Sequence, residues 1–259
     1  MFAFRNDVLA DGVGVAFSDA VAPDGTALTL AGTCVDSSPS WALVRAELGV
    51  PAAVIGQVHS TRVVAVDADT DLSELALVQA DALVTAARGI ALAIRVADCV
   101  PVVLADAAAG VAGVAHAGRV GLTDGVLPAT VEAMRALGAA RLTAWIGPHI
   151  CAECYEVPAD MRTEVATRVP GAWATTSWGT PALDLGSGAE RQLCELGCEV
   201  RRHDPCTMTT PTLHSYRRDG ATAGRMAAIG WLASVSPTGS TAARQGRGNV
   251  TGNSATTGA

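Results

Sequence analysis

Cys99 and His116 end two apolar runs in the stretch ALAIRVADCVPVVLADAAAGVAGVAHAG, residues 91–118. A third group of the same kind, His59, closes the run AAVIGQVHS. Thiolate and imidazole are good zinc ligands, and a site with three protein ligands keeps a position open for water or substrate. The spacing of the three is no local zinc-finger pattern, so spacing alone does not bring them together. A buried structural cysteine beside two unrelated histidines fits it too. The same Cys99 and His116 would also serve as nucleophile and base in a cysteine hydrolase.

Other residues carry weaker chemical signals. Cys151-Ala152-Glu153-Cys154 is a CxxC, but Tyr155-Glu156-Val157-Pro158 follows as an extended segment, whereas a thioredoxin-like pair opens a helix. No second cysteine pair at zinc-finger spacing accompanies it, and the simpler reading is a loop beside the pocket. Arg119, Arg217, Arg218 and Arg225 are candidates for holding a phosphate or carboxylate, against the plainer reading of solvated surface arginines. Gly118 and Gly121 flank Arg119 at the start of an expected helix, where backbone N–H groups favour anions. No G-x-S-x-G elbow is present to support a serine hydrolase.

The elements that must position these residues follow from apolar periodicity. Strands are expected at 13–17, 27–31, 53–58, 62–66, 81–85, 91–96, 100–105, 111–115, 142–146 and 199–202. Helices are expected at 37–48, 122–137, 160–168, 189–196 and 224–233. Strands interspersed with helices imply a mixed α/β or α+β domain spanning residues 1–234. From 235 onward the chain has no aromatic residue, Leu or Ile, and it reads as a disordered tail. Asn249-Val250-Thr251 within it matches a glycosylation sequon.

Apolar residues make up 49% of the 259-residue chain but aromatic residues only 4%, so the core is built from Ala, Val and Leu. A formal net charge of −7 argues against nucleic-acid and anionic-membrane partners. Arg5, Asp7, Asp11 and Asp19 interrupt any secretory apolar core, and Arg95, Asp98 and Asp106 interrupt the longest apolar region. The expected location is the cytoplasm, where the seven cysteines are thiols and ligands rather than disulfides.

Gln57-Val58-His59, Asp81-Ala82-Leu83-Val84-Thr85, Ala97-Asp98-Cys99-Val100-Pro101 and Ala115-His116-Ala117-Gly118 occur in an order that resembles the YfiH-like family, also called the polyphenol oxidase or laccase-domain family. Ile146-Gly147-Pro148, Cys154-Tyr155-Glu156-Val157, Cys206-Thr207, Ser215-Tyr216-Arg217-Arg218 and Gly224-Arg225 continue it, so the resemblance spans about Val13 to Leu232. It implies a single domain of mixed β-sheet layers flanked by helices. It implies a metal site of His59, Cys99 and His116, and phosphorolysis of purine nucleosides, methylthioadenosine included, with adenosine deamination as a further activity. The chain departs from the family's HAGWRG at His116-Ala117-Gly118-Arg119-Val120-Gly121, where no tryptophan stands and the arginine is displaced by one. It also carries His149 and Glu153 where the family has cysteines.

The resulting expectation is a zinc enzyme, with copper as the alternative ion. His59, Cys99 and His116 are the ligands; Cys99, His116 and Asp98 are the catalytic candidates. Gln57 and Arg119 are expected to contact substrate, and the partners are purine nucleosides and phosphate. A four-copper laccase centre needs far more than the five histidines present. A single copper in a His₂Cys set keeps an oxidoreductase reading open; a non-catalytic metal-binding protein is a further alternative.

Overall fold

Along Ala91–Val96, Leu92 and Ile94 point to one buried layer and Ala91 and Ala93 to another. Val100, Val102 and Leu104 likewise face one layer while Val103 and Ala105 face a second. Strands apolar on both faces must lie inside a stack of layers, and they do. The structure, a computed structural model, describes residues 1–6 and 12–233; the expected tail and its Asn249 sequon lie outside the described residues.

The strands are β1 (Phe2–Asn6), β2 (Val13–Ser18), β3 (Ala52–Ala53), β4 (Val63–Ala65), β5 (Ala82–Thr85), β6 (Ala91–Val96), β7 (Val100–Asp106), β8 (Val111–Ala117), β9 (Thr143–Ile146), β10 (Trp173–Thr175), β11 (Pro181–Leu183), β12 (Glu199–Arg202) and β13 (Met226–Leu232). The helices are α1 (Pro39–Leu48), α2 (Leu72–Leu75), α3 (Arg119–Asp124), α4 (Val126–Ala136), α5 (Ala159–Arg168), α6 (Leu185–Glu195) and α7 (Tyr216–Asp219). A five-stranded sheet in the order β1-β2-β13-β6-β3 packs on a six-stranded sheet in the order β12-β9-β7-β8-β5-β4, and β10 and β11 form a separate ribbon. Phe17, Leu92, Ile94, Val103 and Val114 fill the space between the two large sheets. Trp41 and Val44 of α1 cover the outer face of the first sheet, and Leu127, Val131 and Met134 of α4 cover the outer face of the second with α5 and α6. Each such large aliphatic side chain contributes about 1.5–3 kcal/mol by burial. The mixed α/β class and its sheet layers flanked by helices are as expected.

Several element assignments need correction. The segment 224–233, expected as a helix, instead holds strand β13 (Met226–Leu232). The Ala-rich segment lies antiparallel between β2 and β6, and the open backbone groups of both neighbours outweigh alanine's helix propensity. The helix expected over 122–137 is two helices, because Gly125 adopts φ 101° between α3 and α4, a conformation glycine takes at little cost. Residues 27–31 form no strand: Leu28 N–H donates to Ala20 O and Leu30 N–H to Arg225 O, so the bonds go to two segments and build no ladder. Of the strand expected at 53–58 only Ala53 lies in one, at the end of β3, and the strand expected at 62–66 shortens to β4.

Candidate metal centre and its cavity

Register places the chemistry. Ala82 pairs with Ala115 across β5 and β8, and Pro101 pairs with His116 across β7 and β8. Asp81, His116 and Cys99 therefore fall in a row where three neighbouring strands end. Cys99 stands in the short turn that carries the chain from β6 in one sheet to β7 in the other, and Asp98 in that turn has φ 85°.

Asp81 is the keystone of this rim. Its fully buried carboxylate accepts the N–H groups of Val58 (3.2 Å), His59 (3.0 Å) and Ser60 (2.6 Å) and the Ser60 hydroxyl (2.8 Å). These bonds hold His59 at φ 61°, a left-handed conformation that costs a non-glycine residue about 1–2 kcal/mol. The same carboxylate lies 2.8 Å from His116 Nδ1. Burial alone would raise the Asp81 pKa, but the bonds from His116 and Ser60 hold it at about 2. As a carboxylate it accepts the Nδ1–H hydrogen bond, so His116 presents Nε2 to the cavity.

Cys99 Sγ lies 3.7 Å from His59 Nε2, and the donor atoms of His59, Cys99 and His116 lie within 4.8 Å of one another. Burial would raise the Cys99 thiol, yet His116 and His59 bring it down to about 6. Burial would lower His116, yet Asp81 and Cys99 raise it to about 9. The opposed shifts favour a thiolate facing an imidazolium at neutral pH. The donors fit a zinc ion: tetrahedral bonds of about 2.3 Å to sulfur and 2.0–2.1 Å to nitrogen set sulfur and nitrogen about 3.5 Å apart. Gly118 keeps the cradle clear, since a Cβ there would come within 2.5 Å of His59 Cδ2 and 3.1 Å of Cys99 Sγ.

The three residues open on a cavity of about 720 Å³ whose wall also holds Gln57, Arg95, Asp98, Tyr155, Arg217 and Arg225. Arg225 Nη1 donates to the carbonyls of Ala223 and Gly224, and Arg217 Nη1 to that of Glu156. An acidic chain thus places three arginines around one cavity. Asp98 uses both carboxylate oxygens, accepting the Thr207 hydroxyl (2.6 Å) and the Arg217 N–H (2.6 Å). It pins the turn beneath Cys99. Gln57 exchanges two 2.8 Å bonds with the backbone of Arg95, so its amide extends the sheet edge while its side chain borders the cavity. Arg119 opens α3 and lies against the Tyr155 hydroxyl. Arg218 turns away from the cavity to Asp219 and to the carbonyls of Thr207 and Leu213.

The sequence reading missed Asp81, Arg95, Tyr155 and Thr207 as parts of the site. Asp81 carried a signal, a carboxylate at the head of an apolar strand where burial demands partners. Arg95 read as a mere interruption of an apolar run. The remaining histidines are engaged elsewhere. His149 Nδ1 lies 2.9 Å from Gly147 O, and His149 burial lowers its pKa. His203 stacks on Phe4, and His214 Nε2 lies 2.9 Å from Leu28 O.

A family model described as multi-copper polyphenol oxidoreductase laccase matches residues 37–233. The chain belongs to that family, the YfiH-like proteins. Among its relatives, a Streptomyces griseus protein named purine nucleoside phosphorylase is 52% identical over 191 residues, covering 70% of this chain and 75% of the relative. A Mycobacterium tuberculosis protein of the same name is 44% identical over 197 residues, covering 74% and 77%. The crystal structure of a Neisseria meningitidis protein superposes with a TM-score of 0.73 at 31% identity, covering 89% of this chain and 99% of that one. The Bacillus licheniformis protein YfiH superposes with a TM-score of 0.74 at 26% identity, covering 85% and 92%. Among the described residues the multi-copper description meets a single His₂Cys cluster, since the three other histidines point to carbonyls, a phenyl ring or Asp204. Among the described residues no helix is long and apolar enough to cross a membrane.

Proposed function

We propose that this chain is a zinc-dependent purine nucleoside phosphorylase acting on adenosine, inosine and methylthioadenosine, with adenosine deamination as a side activity. The observation that carries the reading is the opening of the His59–Cys99–His116 cluster onto a cavity of about 720 Å³ walled by Arg95, Arg217 and Arg225. Relatives named purine nucleoside phosphorylase support it.

In phosphorolysis a phosphate oxygen bonds to C1′ of the sugar, the glycosidic C–N bond breaks, and its electron pair leaves with the purine, which takes up a proton. Such a reaction needs an anion site beside a site for the leaving base. The arginines supply positive charge for phosphate, and their planar N–H donors match its oxygens. Tyr155 and Tyr216 border the same cavity, with Arg217 over the first ring at 5.1 Å and Arg225 over the second at 5.9 Å, so each aromatic ring sits beside a cation at the proposed anion site. Zinc held by His59, Cys99 and His116 would supply Lewis acidity toward an oxygen of the substrate or of water. Asp81 keeps His116 in the tautomer that ligation requires, and Asp98 holds the turn that aims Cys99.

Metal-loaded protein incubated with inosine should release hypoxanthine only when phosphate is present, and with adenosine it should also form inosine. Absence of phosphate-dependent base release across a nucleoside panel would overturn the phosphorylase reading. A second reading rests on the Cys99 sulfur lying within 4.8 Å of a ring nitrogen of His116, which Asp81 orients in turn, an arrangement that suits a cysteine hydrolase. That reading requires activity in metal-free protein and its loss on thiol alkylation.

A further inference from the structure

A second cluster stands behind the cavity wall, in residues that the proposed reaction does not use. Cys151 begins a tight turn in which Cys154 N–H and Tyr155 N–H both donate to the Cys151 carbonyl, at 3.1 and 3.0 Å. The turn sets the two thiols of the CxxC side by side. Cys206 arrives from the loop after β12, where a parallel bridge joins His149 to Cys206 and Thr207 N–H donates to His149 O at 3.0 Å. Cys151 N–H points at Cys206 Sγ, 3.4 Å away. The three sulfurs lie within 4.8 Å of one another.

We propose that Cys151, Cys154 and Cys206 form a second metal site, a three-thiolate site for a thiophilic closed-shell cation, zinc or cuprous copper. A tetrahedral ion with metal–sulfur bonds of about 2.3 Å separates its sulfurs by about 3.8 Å, so small side-chain rotations close the site. Soft sulfur donors without a carboxylate or imidazole select such ions over magnesium, calcium or manganese. Cys154 is buried while Cys151 and Cys206 are half-buried, which leaves an entry path and a fourth position open to solvent. The N–H donated to Cys206 Sγ orients a sulfur ligand from outside the coordination sphere. A disulfide would use two of these sulfurs and leave the third unpaired; one cation engages all three.

Occupancy would tie together two loops that reach the first site. Tyr155 follows Cys154 and borders the cavity, and Thr207 follows Cys206 and donates to Asp98. The cation would brace the wall from behind without touching substrate.

The test is metal stoichiometry on the full chain, purified under reducing conditions, stripped with a chelator and reloaded with Zn²⁺ or, under argon, with Cu⁺. Wild type should retain two equivalents, and Cys151→Ser/Cys206→Ser and Cys99→Ala one each. One equivalent in wild type, lost in Cys99→Ala and kept in the double variant, overturns the proposal. So does an intramolecular disulfide among these cysteines that persists in the reduced preparation. Titration of wild type with Co²⁺ needs no variant to fold. Thiolate-to-cobalt charge transfer should grow in two steps, the stronger from three sulfurs; saturation at one equivalent overturns the site.

Discussion

The two cysteine-containing clusters differ in what holds them. His59, Cys99 and His116 sit where sheet strands end, and their relation is set by register: Asp81 beside His116 beside Pro101 across three strands. A buried carboxylate then fixes one imidazole directly and the loop of the other through three backbone N–H groups. Cys151, Cys154 and Cys206 sit on two loops joined by a single bridge, with a backbone N–H as the orienting group. The first arrangement spends a strained His59 and a buried aspartate on aiming mixed ligands into a cavity, which is the investment an open reactive site requires. The second spends little on direction and offers only sulfur, which suits holding an ion rather than presenting one.

Removing a ligand from the first cluster should break this comparison most sharply. Cys99→Ala or His116→Ala should abolish metal retention at that site and lower kcat by on the order of 10³-fold. The check is metal content together with phosphate-dependent base release. A Cys99→Ala protein with full metal and normal turnover would show that the cluster is not the reactive centre.

Asp81→Asn tests the keystone while leaving all three ligands in place. An amide cannot accept from every donor that the carboxylate serves, and it no longer holds an imidazole as an anion does. Metal affinity should fall about 10–100-fold, and unfolding free energy should drop by about 1–3 kcal/mol because buried N–H groups lose partners. Competition with a chelator and urea unfolding read the two effects separately. Gly118→Ala should act on metal affinity alone and by less, about tenfold, because its methyl group presses on His59 Cδ2 at 2.5 Å while the sheet around it is unchanged. Equal affinity in Gly118→Ala and wild type would show that His59 has room to give.

The same contrast explains what could be read from the sequence. Strands β6, β7 and β8 were legible because both faces are apolar, so each reads as a continuous apolar run of strand length. Strand β13 was not: Met226-Ala227-Ala228-Ile229 carries local helix propensity, and only the vacancy between β2 and β6 makes it a strand. Within the single helix expected over 122–137, Gly125 adopts φ 101° and so ends one helix and begins another. At the site, residue types marked Cys99 and His116, but joining them to His59 needed the ordered motifs of the family, because a sheet register is invisible to spacing. Asp81 and Cys206 act through partners far along the chain, 35 residues from His116 and 55 from Cys151. No local pattern announces such pairs.

The smallest effect on the site is expected at the other end of β7, where a second buried aspartate does for the fold what Asp81 does for the ligands. Asp106 accepts Ala109 N–H at 3.0 Å on one oxygen, and Ala140 and Arg141 N–H at 2.7 Å each on the other. Burial would raise its pKa, but the N–H groups of Arg141, Ala140 and Ala109 hold it below the ordinary 3.8. A carboxyl that is more acidic folded than unfolded stabilises the protein fully above the unfolded pKa, and that stabilisation is lost as pH falls through the folded value. Asp106→Asn keeps one acceptor oxygen and turns an amide N–H₂ toward a backbone donor. It should cost about 1–2 kcal/mol at neutral pH, with the gap from wild type narrowing below about pH 4 as the wild-type carboxylate takes up its proton. Metal content and turnover should stay at wild-type values, since Asp106 is no ligand, does not line the metal-centre cavity and makes no contact with Asp81. Urea unfolding across this pH range, run beside Asp81→Asn, separates an aspartate that closes a β-turn from one that aims a histidine: a loss of metal in Asp106→Asn would mean the two ends of β7 are coupled through the sheet.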